Sequence, residues 1–87
     1  MSEAEDSRDG AGKYPAYRRM EGAGHFYRVD GPTSFTEVQA LGGRYIAHQV
    51  RSAAYPERLR VMQMMACEPP YVELEADVWE DLYSRIH

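Results

Sequence analysis

The sequence predicts an α+β fold: an antiparallel β-meander of three or four strands with two amphipathic helices packed on one face. Residues 14–51 are rich in aromatic and β-branched residues that alternate with polar ones, which is typical of strands. Residues 55–67 and 77–86 instead place apolar residues at helical spacing. Because an apolar helical stripe has to be buried, the strands are the surface on which both helices are expected to pack.

The first two strands are predicted to form a β-hairpin. Residues 14–20 are aromatic-rich and extended, and residues 21–24, Glu-Gly-Ala-Gly, supply the turn. The second strand is predicted at residues 25–29, where the sequence alternates. This alternation separates its side chains onto two faces, with His25, Tyr27 and Val29 on one and Phe26 and Arg28 on the other.

Residues 34–41 are compatible with two structures. Residues 34–37 have the spacing of a helix capping box, and apolar residues then recur every third position. The same segment contains residue types that favour strands, and the Gly-Gly pair at 42–43 would turn it into a further strand at residues 44–51. The strand–turn–strand interpretation is preferred. A short helix beside a three-stranded sheet is the alternative.

The helix predicted at residues 55–67 begins with Pro56, a residue suited to a first helical position. Its apolar stripe consists of Leu59, Val61, Met62, Met65 and Ala66. Its polar side consists of Glu57, Arg60 and Gln63, and Met64 projects away from the stripe near Glu57.

A second amphipathic helix is predicted at the end of the chain. Prolines 69 and 70 end the preceding helix, and residues 71–74 form a short strand or an extended link. Asp77 is expected to cap the final helix, with Glu80 three residues later. The apolar side of this helix consists of Val78, Trp79, Leu82, Tyr83 and Ile86.

Length and composition predict a single small domain. The chain has 87 residues, and 44% of them are hydrophobic. Residues 1–12 are acidic and lack apolar periodicity, so they are expected to form a disordered tail before a domain at residues 13–87. Cys67 is the single cysteine, and neither a signal peptide nor a membrane span is recognisable. These features favour a cytoplasmic protein.

Charge is unevenly distributed along the chain, whose net charge is −4. Residues 13–52 carry six basic residues against three acidic ones, whereas residues 66–87 carry six acidic residues against Arg85 alone. The two segments are able to pair within one molecule. Alternatively, the basic segment is free for an anionic partner.

Several short segments, taken together, resemble a group of short uncharacterised bacterial proteins. These segments are Lys13-Tyr14-Pro15 with Tyr17-Arg18, then residues 26–29, 35–38, 54–57 and 71–73. The resemblance covers most of residues 13–86. It implies a single small domain and carries no implication about activity.

Nucleic-acid binding is one function that the sequence suggests. Aromatic residues stand beside arginines on the predicted strands, an arrangement that can stack bases and neutralise phosphates. The residues of this candidate face are Tyr17, Arg18, Tyr27, Arg28, Arg44 and Tyr45. The overall negative charge opposes this hypothesis.

Catalytic, metal and cofactor sites are not predicted. Cys67 lies near a predicted helix C-terminus and beside Glu68. The negative end of the helix dipole and the Glu68 carboxylate both oppose formation of a thiolate. His25, His48 and Cys67 lack the close spacing of metal ligands, and the glycines match no phosphate-binding loop. The chain is therefore expected to be non-catalytic and to need no cofactor.

A protein-interaction or regulatory module is the preferred hypothesis, with an unknown protein partner or self-association. Tyr and Met are enriched at protein interfaces, and this chain has seven Tyr and five Met. The candidate surface is the predicted outer side of the first helix, with Met64, Arg60 and Glu57.

Overall fold

The computed structural model describes residues 14–51 and 54–86, so the predicted acidic tail at 1–12 lies outside the described residues. The described chain forms five strands and two helices, which confirms the α+β fold class. In chain order these elements are β1 (Ala16–Met20), β2 (His25–Gly31), β3 (Ser34–Leu41), β4 (Arg44–Arg51), α1 (Tyr55–Met65), β5 (Tyr71–Glu73) and α2 (Ala76–Ser84).

All five strands belong to one antiparallel sheet with the order β4-β3-β2-β1-β5. The β1–β2 hairpin is confirmed, and residues 34–41 adopt the preferred strand rather than a helix. Gly42 and Gly43 have φ angles of 55° and 84°. A two-residue turn of this type requires positive φ at both positions, which glycine adopts without steric cost. The strand count is five because residues 71–73 pair with β1 at the sheet edge.

The two helices lie on opposite faces of the sheet, so the prediction that both pack on one face is wrong. On the α1 face, Val61 and Met64 join a buried cluster with Tyr27 and Val29 of β2. On the other face, the guanidinium of Arg28 lies over the rings of Trp79 and Tyr83 in α2. Both faces of the central strands carry apolar residues, so each face needs a cover. The chain passes from α1 to α2 through the edge strand β5.

The orientation of α1 also differs from the prediction. Val61 and Met64 are buried, whereas Met62 is 66% exposed. Met65 is half-buried and packs against this cluster, whereas Leu59 is half-buried on the other side of the helix. The apolar positions of this helix are spread too widely around its axis to define one stripe, and the fit to the sheet decides which of them face inward.

The final helix buries Trp79 and Leu82, as predicted. The Trp79 ring stacks on Tyr83 at a centroid distance of 5.6 Å and lies 6.2 Å from the ring of Tyr17 in β1. The prediction of an Asp77 cap is wrong: Glu75 is the N-cap residue and makes no side-chain capping hydrogen bond, and Asp77 lies in the first turn. Val78, expected on the apolar side, is 43% exposed.

Candidate interaction surface

The three residues predicted as the interaction surface of α1 turn toward the sheet. Met64 is fully buried, which removes it from any surface. The guanidinium of Arg60 lies 5.0 Å from the ring centre of Phe35 and 5.7 Å from that of Tyr27. Glu57 is half-buried. These contacts rotate the helix so that Met62, expected in the core, faces outward instead.

Arg60 belongs to a polar network that lies on the α1 face of the sheet. Its centre is Glu37, whose Oε2 lies 2.8 Å from His25 Nδ1 and accepts a hydrogen bond from Gln39 Nε2 at 3.3 Å. Arg60 donates to the Tyr27 hydroxyl at 3.5 Å. The strand register places Glu37 directly opposite Tyr27 on one side and His48 on the other.

The contacts within this network shift the pKa values of Glu37, Arg60 and Tyr27. Burial acts to raise the pKa of Glu37, but hydrogen bonds from His25 and Gln39, together with the Arg60 charge, outweigh it and hold this pKa below its ordinary value. Burial acts to lower the pKa of Arg60, and its hydrogen bond to Tyr71 reverses the shift. Burial and the adjacent Glu37 carboxylate raise the pKa of Tyr27 well above its usual range.

This network is best understood as the polar attachment of α1 to the sheet. An ionised Glu37 requires the proton of His25 on Nδ1, and a histidine oriented in this way is one component of acid–base chemistry. The groove of the described residues at the start of β4 is lined by other side chains. Within residues 14–51 and 54–86, no group of three or more His, Cys, Asp or Glu is arranged to hold a metal ion.

The arginines and tyrosines proposed as a nucleic-acid face do not share a face. The register pairs Tyr17 with Arg28 and Arg18 with Tyr27, so consecutive residues of each strand alternate between the two sides. Pairing of Tyr45 with Ala40 places Tyr45 on the Arg28 side and Arg44 on the opposite side. Tyr27 is fully buried and has no surface on which a base can stack. The continuous stacking platform expected from the sequence is therefore not formed.

Two of these arginines are instead used within the fold, though not in the pairs with the acidic final helix that the charge pattern suggested. Arg18 Nε donates to the Met64 carbonyl at 2.8 Å, which satisfies an acceptor at the end of α1. Arg28 Nε donates to Asp30 at 2.7 Å, and Thr36 donates to the same carboxylate at 3.2 Å. Arg28 therefore positions α2, and Arg18 positions α1.

β4 is the long edge strand of the described sheet. β4 pairs with β3 over all eight of its residues, in a register without a bulge. No strand of the described residues pairs with its other side. Alternate N–H and C=O groups of an edge strand point away from its neighbour, which makes the edge a template for another extended segment. None of the eight residues is buried.

A groove of about 540 Å³ lies at the start of β4. Ile46 and Arg44 are on the α1 side of the strand, and Tyr45 is on the α2 side. Arg85 and Ile86, which follow α2, line the groove together with Gly43. The groove therefore extends around the edge of the sheet, and sequence reasoning missed it because its two halves are separated by about forty residues.

The outer side of α1 is a second accessible apolar surface. Tyr55 is 71% exposed and Met62 is 66% exposed, and the two residues are seven positions apart on the helix. No described helix is long and apolar enough to cross a membrane.

Comparison with known proteins identifies no relative: no protein-family model, curated protein or solved structure matches this chain. Among the described residues, the open β4 edge and the groove at its start are the features that point to a binding surface.

Proposed function

We propose that this chain is a small non-catalytic protein-interaction module that binds an extended segment of a partner along β4. The observation that carries the proposal is the open edge of β4, eight residues long and fully paired on its inner side. Addition of a strand to such an edge satisfies backbone hydrogen-bonding groups of both chains, which is a recurring mode of peptide recognition.

Between its terminal arginines, the sequence of β4 lacks the features that usually prevent strand addition. Natural edges are protected by short length, by proline, by bulges or by charged residues in the strand. The six residues between Arg44 and Arg51 include no proline, lysine, arginine or acidic residue, and the β3–β4 register is uninterrupted. A partner strand would therefore meet a regular edge over most of its length.

A second copy of the same chain is a poor occupant for this edge. If two β4 strands pair in register and antiparallel, Arg44 of each copy lies opposite Arg51 of the other. Like charges directly opposite each other destabilise a strand pair. The two arginines thus favour a different chain over self-association.

A pair of proline variants tests the proposal. In β4 the N–H groups of Ala47 and His48 point to opposite sides, because consecutive residues of an edge strand alternate. One of Ala47→Pro and His48→Pro removes a bond to β3 and lowers the melting temperature. The other removes an outward N–H and is expected to leave stability nearly unchanged, because proline is tolerated at a solvent-facing edge position.

Binding is measured with the full chain against a phage-displayed library of random octapeptides. We expect selected peptides to slow hydrogen exchange of alternate β4 amides, and the stable proline variant to lose this binding. Ala47→Thr and His48→Thr are the matched controls, because they keep the N–H group and should bind as the parent chain does. Peptides that perturb only Tyr55 and Met62 of α1, or a library that yields no binder, would contradict the proposal.

A further inference from the structure

We infer that the groove at the start of β4 is an acid-binding subsite, and that the extended partner segment places a carboxylate side chain between Arg44 and Arg85. This inference rests on the proposed function, because it names the chemistry of the segment that β4 would bind. The groove lies against Gly43, Arg44, Tyr45 and Ile46, so a segment paired with the edge passes directly over it.

The charge of the groove lining is positive. Two of its six lining residues are arginines and none is acidic. For Arg44, no ion pair is found within residues 14–51 and 54–86, and its side chain is exposed. Arg85 Nε contacts Asp81 at 3.1 Å, with both side chains more than half exposed. An exposed pair of this type contributes little and exchanges readily with a competing carboxylate.

The groove lies beside the C-terminal end of α2, which disfavours an anion, but this effect is too weak to make the net charge around the groove negative. A helix C-terminus carries roughly half a negative charge, and its influence is limited to the last turn. The Arg85 backbone N–H already donates to carbonyls of that turn. Two guanidinium groups against this partial charge and Asp81 leave the groove positive, and two charged forks are well suited to carboxylate oxygens.

The remaining lining residues determine which anion fits. Ile46 is 41% exposed, and Ile86 and Tyr45 are half-buried beside it. These residues offer an apolar wall to the methylene groups of a glutamate or to an apolar residue next to it. A nucleic-acid strand would bring phosphate charge, but it has no backbone groups that match the β4 edge. The geometry therefore favours an acidic peptide segment.

The library experiment gives a direct test of this subsite. Octapeptides selected on the full chain are expected to be enriched in Glu or Asp at a position that lies beside the groove. A selected peptide is synthesised and titrated against Arg44→Glu and Arg85→Glu, each of which should weaken binding about tenfold, since a favourable charge pair becomes a repulsive one. Arg58→Glu, at an exposed position of α1, is the matched control and should change affinity less than about twofold.

The outcomes separate the subsite from the proposed function. Neutral peptides that protect the β4 amides and are insensitive to Arg44→Glu would overturn the acidic subsite and leave strand addition intact. If no octapeptide binds at β4, both proposals fail. An oligonucleotide of eight deoxythymidines serves as the competing anion. If the oligonucleotide binds more tightly than the selected peptide at the same salt concentration, and if Arg44→Glu and Arg85→Glu weaken its binding, the assignment of a peptide ligand is wrong.

Discussion

The two edges of the sheet differ in how the fold protects them. At one edge, β5 has three residues, follows two prolines, and buries Tyr71 in the core. At the other edge, β4 has eight residues and buries none of them. The difference indicates that β5 is a short edge that contributes to the core, whereas β4 is a long edge whose outer side pairs with no described strand.

Connections at each edge explain the contrast. The residues that flank β5 extend its pairing with β1, since Glu21 N–H donates to the Pro70 carbonyl at 2.8 Å and Leu74 N–H donates to the Tyr17 carbonyl at 3.1 Å. Tyr71 N–H donates to the Glu68 carbonyl at 2.8 Å. Tyr71 also packs edge-on against Tyr27 at a ring distance of 5.6 Å. β4, by comparison, is attached to the described chain mainly through β3. The short strand β5 therefore contributes a buried side chain to the core, whereas the longer strand β4 contributes none.

Truncation of the buried tyrosine in the short edge strand β5 should have the largest effect. We expect Tyr71→Ala to lower the free energy of unfolding by about 3–5 kcal/mol, because it empties a site in the core. The matched change in the open edge, Tyr45→Ala, should cost about 1 kcal/mol. Urea denaturation measures both, and Tyr71→Phe serves where the alanine variant does not fold. Equal losses for the two alanine variants would remove the distinction between the edges.

An intermediate effect on stability is expected in the row of paired residues that crosses the sheet, which consists of His48, Glu37, Tyr27, Arg18 and Glu73. Glu37→Gln is expected to cost about 1–3 kcal/mol at neutral pH, since it removes the ionised acceptor from His25 and Gln39. Because the pKa of Glu37 is lower in the folded chain than its ordinary value of 4.5, its contribution is complete above that value and is lost as pH falls through the folded pKa.

Thermal unfolding between pH 3 and pH 7 tests this sign. The melting temperatures of the parent chain and of Glu37→Gln should differ most at neutral pH and converge in acid. Glu73→Gln, an exposed position at the β5 end of the same row, is the control and should show no such convergence. A gap between parent and Glu37→Gln that widens in acid would contradict the assignment of Glu37 as the ionised centre.

The smallest effect on stability is expected at the groove beside the open edge. Asp81→Asn should change the free energy of unfolding by less than about 0.5 kcal/mol, because the Asp81–Arg85 pair is exposed. The same change releases Arg85 and should strengthen binding of the selected acidic peptide. Calorimetric titration compares the two chains. Weaker binding by the variant would show that Arg85 does not act as a carboxylate ligand.

The elements of the fold follow from local sequence features. Alternation in residues 25–29, the Gly-Gly turn at 42–43 and the Pro56 start of α1 each specify geometry through nearest neighbours, and each is present in the structure. Burial of Trp79 and Leu82 was also predictable, because the final helix has one well-defined apolar side. The open edge was not predictable, since strand order depends on pairings between distant segments.

The α+β class, the strand pairs joined by tight turns and the inward side of α2 were predictable from the chain, because these features depend on turn chemistry and on a clear periodicity. Three features depend on the packing of the whole chain: the helices cover opposite faces, α1 turns Met64 inward and Met62 outward, and Arg44 and Arg85 line one groove. In each case the alternative arrangements have almost equal free energies when only local interactions are considered. Long-range contacts then favour one arrangement. Arg60 packs over the rings of Tyr27 and Phe35, and β5 at the sheet edge connects the helix on one face to the helix on the other.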